Sequence, residues 1–412
     1  MPKTIALAGT LDSKGEEFLY VKEMIESLGF RAFVIHTGVF DPLFKPDVSS
    51  SEIAAAVGEN MKDLAAKKDR GKATAVLAQG LETLLPTLYE QGKFDGILSF
   101  GGSGGTSIAT AGMRALPIGV PKLMVSTVAS GNTESYIGTS DIMFMPSIVD
   151  VAGLNVISKK IFSNAVHSMA GMLTFEHKKE EKKKPLIAAT MFGVTTPCVE
   201  KAKISLENLG YEVLIFHATG VGGRTMEQLI EAGFIDGVLD LTTTEWADQL
   251  VGGVLAAGEH RLEAAAKHHI PQVISVGALD MVNFGPYETV PTQFAHRNLY
   301  KHNPNITLMR TNVEENKMIA KKLAEKINMA NKYTALMLPL LGVSALDEEG
   351  QAFYGDEEDK VLFTTLKDHL DENIAEVIEM DAHINDESFA VASAVKLHQF
   401  IQQKKGAYGY AN

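Results

Sequence analysis

The sequence predicts an α/β protein built as two Rossmann-like, doubly wound parallel-sheet domains, related by internal duplication and facing each other across a cleft. Three observations predict it. Short apolar runs alternate with stretches of helical period along the chain, which calls for parallel strands joined by crossover helices. The segment Leu28-Gly29-Phe30 through His36-Thr37-Gly38-Val39 is answered by Leu209-Gly210-Tyr211 through His217-Ala218-Thr219-Gly220-Val221. The match then continues in order: Phe94-Asp95-Gly96-Ile97-Leu98 pairs with Ile235-Asp236-Gly237-Val238-Leu239, and Val120-Pro121-Lys122 with Ile270-Pro271-Gln272.

The first element is the strand Ile5–Gly9, followed by a polar turn and an amphipathic helix carrying Phe18, Val21, Met24, Ile25 and Leu28. Ile97–Phe100 is a strand that runs into the glycine cluster Gly101-Gly102-Ser103-Gly104-Gly105-Thr106, with an Ala-rich helix behind it. Glycines let consecutive N–H groups approach an anion, and a helix start adds the positive end of its dipole. The cluster follows neither of the common phosphate-loop spacings, so either a phosphate cradle or a tight strand-to-helix turn fits. A third apolar run, Leu123–Val125, leads into Ser126-Thr127-Val128-Ala129-Ser130-Gly131. Three loops rich in Gly, Ser and Thr at strand ends are expected to share one crevice that takes a nucleotide or phosphorylated ligand.

The copies differ most where the first has its glycines: the second has Asp240-Leu241-Thr242-Thr243-Thr244-Glu245-Trp246, suited to hydroxyls or a cation rather than phosphate. Between the copies, the charged run ending at Pro185 reads as a solvated linker. The expected domains are 1–177 for the nucleotide, 178–185 as linker and 186–412 as the second α/β domain. The apolar C-terminal helix with Phe389, Val391, Val395, Leu397 and Phe400 is expected to pack between domains or between subunits.

A chain of 412 residues, 45% hydrophobic and 22% charged, is ordinary for a globular protein, and its formal charge of −13 argues against nucleic acid as a partner. One cysteine, Cys198, excludes a disulfide framework and a Cys-rich zinc cluster, and it reads as a packed thiol. No signal core or membrane-length apolar run is present, so a cytoplasmic protein without membrane contact is expected.

Gly-Thr-Leu-Asp-Ser-Lys-Gly-Glu-Glu at 9–17, the glycine cluster at 101–106, Leu-Pro-Ile-Gly-Val-Pro-Lys at 116–122 and Val-Ser-Thr-Val-Ala-Ser-Gly at 125–131 resemble one family. Val-Gly-Ala-Leu-Asp-Met-Val-Asn-Phe-Gly at 276–285, Met-Arg-Thr at 309–311 and Asp-Ala-His-Ile-Asn-Asp at 381–386 belong to the same set. The chain is similar, over nearly its whole length, to the uncharacterised family related to the ATP-binding N-terminal region of the plant tobamovirus-resistance protein of the Tm type. The resemblance implies two Rossmann-like subdomains, ATP with Mg²⁺ in the first, and a homodimer. In plants this region is fused to a barrel similar to phosphoenolpyruvate hydrolases, which implies a separately encoded barrel partner here. The chain departs from the family's pattern at His36, where an acid is commoner, and at Leu341, where an Arg is common. The antiviral activity does not transfer, because recognition of a virus is a surface property.

The expected cofactor-binding residues are Gly9, Thr10, Asp12, Ser13, Lys14, Gly101, Gly102, Ser103, Gly104, Gly105, Thr106, Ser126, Thr127, Ser130 and Gly131. Asp12 either holds Mg²⁺ beside the phosphates or caps a turn, Lys14 either meets a phosphate or is exposed, and Asp141 either closes the pocket or packs a turn. The expected catalytic residues are Asp280 and Asn283, which follow the strand Val273–Val276, together with Arg310, Asp381 and His383. Extended alternation would place Asp381 and His383 on one face with Asn385, and Arg310 could receive a carboxylate or phosphate.

Three functions fit these residues. The first is an enzyme using ATP·Mg²⁺ on a small oxygen-rich metabolite in the cleft, by phosphoryl transfer or ligation. The second is a nucleotide-gated binding or regulatory module without turnover. The third is an enzyme whose phosphorylated substrate occupies the glycine loop. Whether the activity is that of a transferase, ligase or hydrolase stays open.

Overall fold

The computed structural model describes residues 2–67, 69–174, 184–330, 332–371 and 373–409. The chain divides into two compact units, Met1–Glu180 and Glu181–Asn412. Of the expected linker, only Lys184 and Pro185 lie within the described residues.

The first unit runs β1 (Thr4–Gly9), α1 (Gly15–Ser27), β2 (Arg31–His36), α2 (Ser50–Ala55), α3 (Met61–Lys67), α4 (Arg70–Glu90), β3 (Gly96–Gly101), α5 (Ser103–Ala115), β4 (Lys122–Ser126), α6 (Glu134–Ile137), β5 (Met143–Pro146) and α7 (Val156–Thr174). Its sheet is wholly parallel in the order β2-β1-β3-β4-β5. The two-residue period of a strand sends Ile5 and Leu7 to one face, where Phe18, Val21, Phe162 and Val166 of α1 and α7 cover them. Ala6 and Ala8 go to the other, under Leu77, Leu81, Ile108 and Met113 of α4 and α5. A sheet buried on both faces explains why its strands are near-continuous apolar runs.

The second unit runs β6 (Leu186–Met191), α8 (Thr196–Asn208), β7 (Glu212–His217), α9 (Val221–Glu231), β8 (Gly237–Thr242), α10 (Glu245–Val251), α11 (Ala264–Lys267), β9 (Gln272–Gly277), β10 (Met281–Phe284), β11 (Leu299–Asn303), β12 (Ile306–Arg310), α12 (Val313–Ile327), β13 (Thr334–Pro339), α13 (Asp356–His369), β14 (Glu376–Met380) and α14 (Glu387–Gly409). Its main sheet, also parallel, follows the same path extended by one strand, β7-β6-β8-β9-β13-β14. A small antiparallel sheet, β10-β12-β11, is inserted between β9 and α12. The sequence reading did not anticipate it.

Duplication extends to individual hydrogen bonds. Asp95 accepts the Thr4 N–H at 2.8 Å on Oδ2, and Asp236 accepts the Leu186 N–H at 2.8 Å on Oδ2. Ile97 N donates to Pro121 O at 2.9 Å, as Val238 N does to Pro271 O at 2.9 Å. The C-terminal helix packs against its own unit. Phe389, Ala394, Leu397 and Phe400 of α14 are buried in the second unit's own core, against Val199, Ala202 and Leu206 of α8. Only Val391 and Val395 face outward, because a helix against a sheet buries one stripe.

Candidate functional site

In the first unit, strand order reverses between β1 and β3, and ligands bind at the carboxyl ends of strands at such a reversal. A cavity of about 560 Å³ lies there. Thr10, Asp12 and Ser13 line it from the turn after β1, and Thr37 to Phe40 from the loop after β2. Leu64 and Ala65 of α3, Asp69 and, from α4, Arg70, Ala73, Thr74 and Leu77, and Gly104, Gly105 and Ile108 of α5 complete the wall.

The polar end of this cavity is the start of α5. Gly102 caps the helix without a side chain, and the first intrahelical bond is Thr106 N to Gly102 O at 2.9 Å. The N–H groups of Ser103, Gly104 and Gly105 therefore precede the helical ladder and point outward at the positive end of the dipole. The Arg70 guanidinium stands 3.9 Å from where a Cβ on Gly104 would be. It has no hydrogen-bond or carboxylate partner among the described residues. Asp12 accepts the Val39 and Phe40 N–H groups on Oδ2, both at 3.0 Å, while its buried Oδ1 has no partner. Gly38 makes this approach possible, since a Cβ there would stand 2.2 Å from Asp12 Oδ1. His36 shapes the same loop: Nδ1 accepts from Leu11 N and Gly38 N, and Nε2 donates to Phe40 O. The imidazole thus ties the turn after β1 to the loop after β2 and shapes the cavity wall.

Of the residues expected to bind a cofactor, Thr10, Asp12, Ser13, Gly104 and Gly105 meet at this cavity. Gly9 and Gly101 do not line it, and Gly9 instead serves packing. A Cβ on Gly9 would stand 1.7 Å from the Phe18 ring, which stacks on Phe100 at 3.8 Å between centroids. Thr106 is buried and spends its hydroxyl on Gly102 O and Ser126 Oγ, tying the helix start to β4. Lys14 donates to Val151 O, so its charge goes to the loop after β5 rather than into the cavity. Ser126, Thr127 and Ser130 do not join the shared crevice expected of them. They line a separate hollow of about 700 Å³ with the loop Pro146–Asp150, because β4 lies on the far side of β3 from β1. Gly131 is exposed in a turn, donating to Val128 O at 3.0 Å. Asp141 does not close the cavity at the β1–β3 reversal. It accepts from Gly119 N and pairs with Lys122 at the start of β4, the opposite edge of the sheet.

Arg70, Phe40, Leu64 and Leu77 escaped the sequence reading. They come from the segment between β2 and β3, and no spacing in the sequence announces that α4 returns over the glycine loop.

In the second unit the matching corner is filled by the chain itself. Glu245 stands where Gly104 stands in the first copy, and its carboxylate accepts Gly220 N at 2.7 Å and Gly223 N at 3.1 Å at the start of α9. Arg261 is buried against it, with Nε to Glu245 at 2.6 Å, Nη1 and Nη2 to Asp240 at 2.5 and 2.8 Å, and Nη1 to Glu227 at 3.3 Å. The acids that suggested a cation or hydroxyl site thus belong to an internal ion-pair network.

Of the expected catalytic residues, Asp280 and Arg310 meet in one buried cluster that His383 reaches through Ser344, while Asn283 and Asp381 lie apart from it. Asn283 is the partner of buried Asp248, which accepts its backbone N–H at 2.6 Å and its side-chain amide at 3.1 Å. Burial nonetheless pushes the Asp248 carboxyl up to about 7. Residues 381–386 form a turn after β14 rather than an extended strand, so Asp381 and His383 share no face. Asp381 is exposed, while His383 donates from Nε2 to Ser344 O and accepts Asn385 N on Nδ1, which pins the loop after β13. Asp280 is fully buried, accepts from Ser344 Oγ at 2.8 Å and leaves Oδ1 without a partner. Arg310 does not reach outward for a ligand: Nη2 contacts Asp347 at 3.2 Å and Asp359 at 2.9 Å. Three acids around one guanidinium leave an excess of negative charge. Burial, then Arg310 in opposition, sets Asp280 at about 6, and burial with Asp280 and Asp359 beside it pushes Asp347 up to about 10. Among the described residues, no group of three His, Cys, Asp or Glu could hold a metal ion.

Residues 3–178 and 184–401 match the N-terminal and C-terminal domains of the Uncharacterised protein family (UPF0261). This chain belongs to that family. It is 53% identical to a UPF0261 protein of Clostridium tetani over 98% of this chain and 100% of that one. It is 50% identical to the ToMV resistance protein Tm-1(GCR237) of Solanum lycopersicum, over 78% of this chain and 44% of that protein. A solved UDP-N-acetylglucosamine 2-epimerase from Rickettsia bellii aligns over 66% of this chain and 78% of that chain, with a TM-score of 0.22 and 13% identity. That likeness is too distant to bear on site or function. Among the described residues, no helix is long and apolar enough to cross a membrane.

Proposed function

We propose that this UPF0261 protein binds ATP with Mg²⁺ in the cavity at the β1–β3 reversal and acts on a small oxygen-rich metabolite by phosphoryl transfer or ligation. The observation that carries the reading is one cavity joining the uncapped start of α5 to a guanidinium without a partner. N–H groups at a helix start and an Arg beside them form a cradle for phosphate oxygens. The remaining wall, with Val39, Leu64, Ala73, Leu77 and Ile108, is apolar, as a slot for a planar base would be. Asp12 Oδ1 is a buried acceptor without a partner, and it fits a Mg²⁺ that arrives with the phosphates and keeps most of its waters rather than an ion caged by protein. When bound, the nucleotide supplies a transferable phosphoryl group. Arg70 and the α5 N–H groups would hold its charge, and Asp12 would orient the ion.

A second reading, a nucleotide-gated module without turnover, draws support from the second unit, where Asp240 and Glu245 are buried against Arg261, and Asn283 and His383 are engaged with Asp248 and Ser344.

Calorimetry with ATP, with and without Mg²⁺, tests the site. Binding in the micromolar range is expected, abolished by Gly104→Val and weakened about tenfold by Arg70→Ala, the effect of one charge-assisted hydrogen bond. Binding that is absent from the wild type, or indifferent to both substitutions, refutes it. Turnover of bound ATP in the presence of candidate metabolites then separates enzyme from module.

A further inference from the structure

The hollow of about 700 Å³ beyond β4 is distinct from the nucleotide cavity and has its own chemistry. Two of its hydroxyls are committed: Ser126 Oγ bonds Thr106 Oγ1 and accepts Val128 N, and Ser147 Oγ donates to Val149 O. The Thr127 and Ser130 hydroxyls and the Asp150 carboxylate have no partner among the described residues. They face an apolar wall of Pro146, Ile148 and Val149.

That wall is built against backbone preference. Ile148 holds φ at +65°, a region β-branched residues avoid, in a turn closed by Val149 N donating to Ser147 O at 2.7 Å. Ser147 N donates to Ser126 O at 3.1 Å, so the turn is pinned to β4 and cannot relax. The Ile148 side chain remains 72% exposed. The hollow thus sets a strained turn with an exposed apolar side chain beside exposed hydroxyls and a carboxylate that no described protein group occupies, a surface open to a ligand.

We propose that this hollow binds a neutral, hydroxyl-rich small molecule of the sugar or polyol class. Asp150 would accept two neighbouring hydroxyls of the ligand, Thr127 and Ser130 would exchange hydrogen bonds with others, and a C–H face would lie on Ile148 and Val149. With one carboxylate and no cation in the lining, the hollow favours a neutral ligand over an anion. Thr127 Oγ1 lies 3.8 Å from where a Cβ on Gly102 would stand, so the hollow abuts the loop that starts α5. If the nucleotide reading holds, on which this role alone rests, the hollow is where a hydroxyl-bearing acceptor would sit.

Saturation-transfer NMR on the full chain, with D-ribose and D-glucose as probes, tests the binding. A signal from at least one sugar is expected, with affinity falling about tenfold in Asp150→Asn and in the double variant Thr127→Val with Ser130→Ala. Arg70→Ala, which alters only the nucleotide cavity, should leave the sugar signal unchanged while ATP binding weakens. No signal from either sugar in the wild type overturns the proposal, as does a signal that neither lining variant reduces. Sugar binding by a wild-type chain that does not bind ATP refutes the nucleotide reading alone.

Discussion

Arg261→Gln removes the guanidinium that bridges the buried Asp240 and Glu245 and the largely buried Glu227, which it contacts at 2.5, 2.6 and 3.3 Å. Arg261 and its two nearest partners have side chains no more than 1% exposed, so water cannot take over the lost interaction. Breaking a buried pair by deleting one partner costs about 3–5 kcal/mol, and here the remaining acids also repel each other. For a unit of this size that corresponds to a fall in Tm of roughly 6–20 °C. The loss should shrink on acidification. Burial already holds the Glu227 carboxyl above its ordinary value with Arg261 in opposition; removing the guanidinium removes that opposition, so the variant regains stability as pH falls and the carboxyl takes up a proton. Thermal unfolding followed by near-ultraviolet circular dichroism at pH 7.5 and 5.0 provides both numbers. A variant melting within about 2 °C of wild type at pH 7.5, or a deficit that does not narrow at pH 5.0, would refute the view that this network closes the second copy's corner.

Two further outcomes follow from buried titratable groups. Asp347, held at about 10, and Asp280, at about 6, both sit above the ordinary value of 3.8 in the folded state, so the fold binds more protons than the unfolded chain and loses stability as pH rises between those limits. Asp347→Asn, which copies the neutral acid and can still accept Val343 N, should match wild type near pH 4 and be more stable at pH 9 in paired melts; equal slopes against pH would sink the assignment. The Cys198 thiol, buried and pushed up to about 12, should resist a thiol reagent in the native protein and react at once after denaturation.

Much of the first cavity was legible in the sequence. Gly104 and Gly105 follow an apolar strand, and Thr10, Asp12 and Ser13 end another; parallel strands deliver both loops to one edge of a sheet. What misled was the assumption that every polar residue at a strand end faces a ligand. Lys14, Thr106, Asn283 and His383 occupy the right positions along the chain, yet each is taken up by a carbonyl, hydroxyl or carboxylate of a neighbouring element. A side chain's partner across the fold has no signature at its own position.

By itself the sequence determined the class, the two copies and the strand that feeds each loop, because apolar period and turn chemistry act over a few residues. Only the tertiary structure decided which loops share a cavity. It set β1 beside β3 and β4 beyond it, returned Arg70 over Gly104, and closed the second copy with Glu245 and Arg261. Those choices depend on strand order and on ion pairs between residues far apart in the chain, and so on the packing of the whole unit.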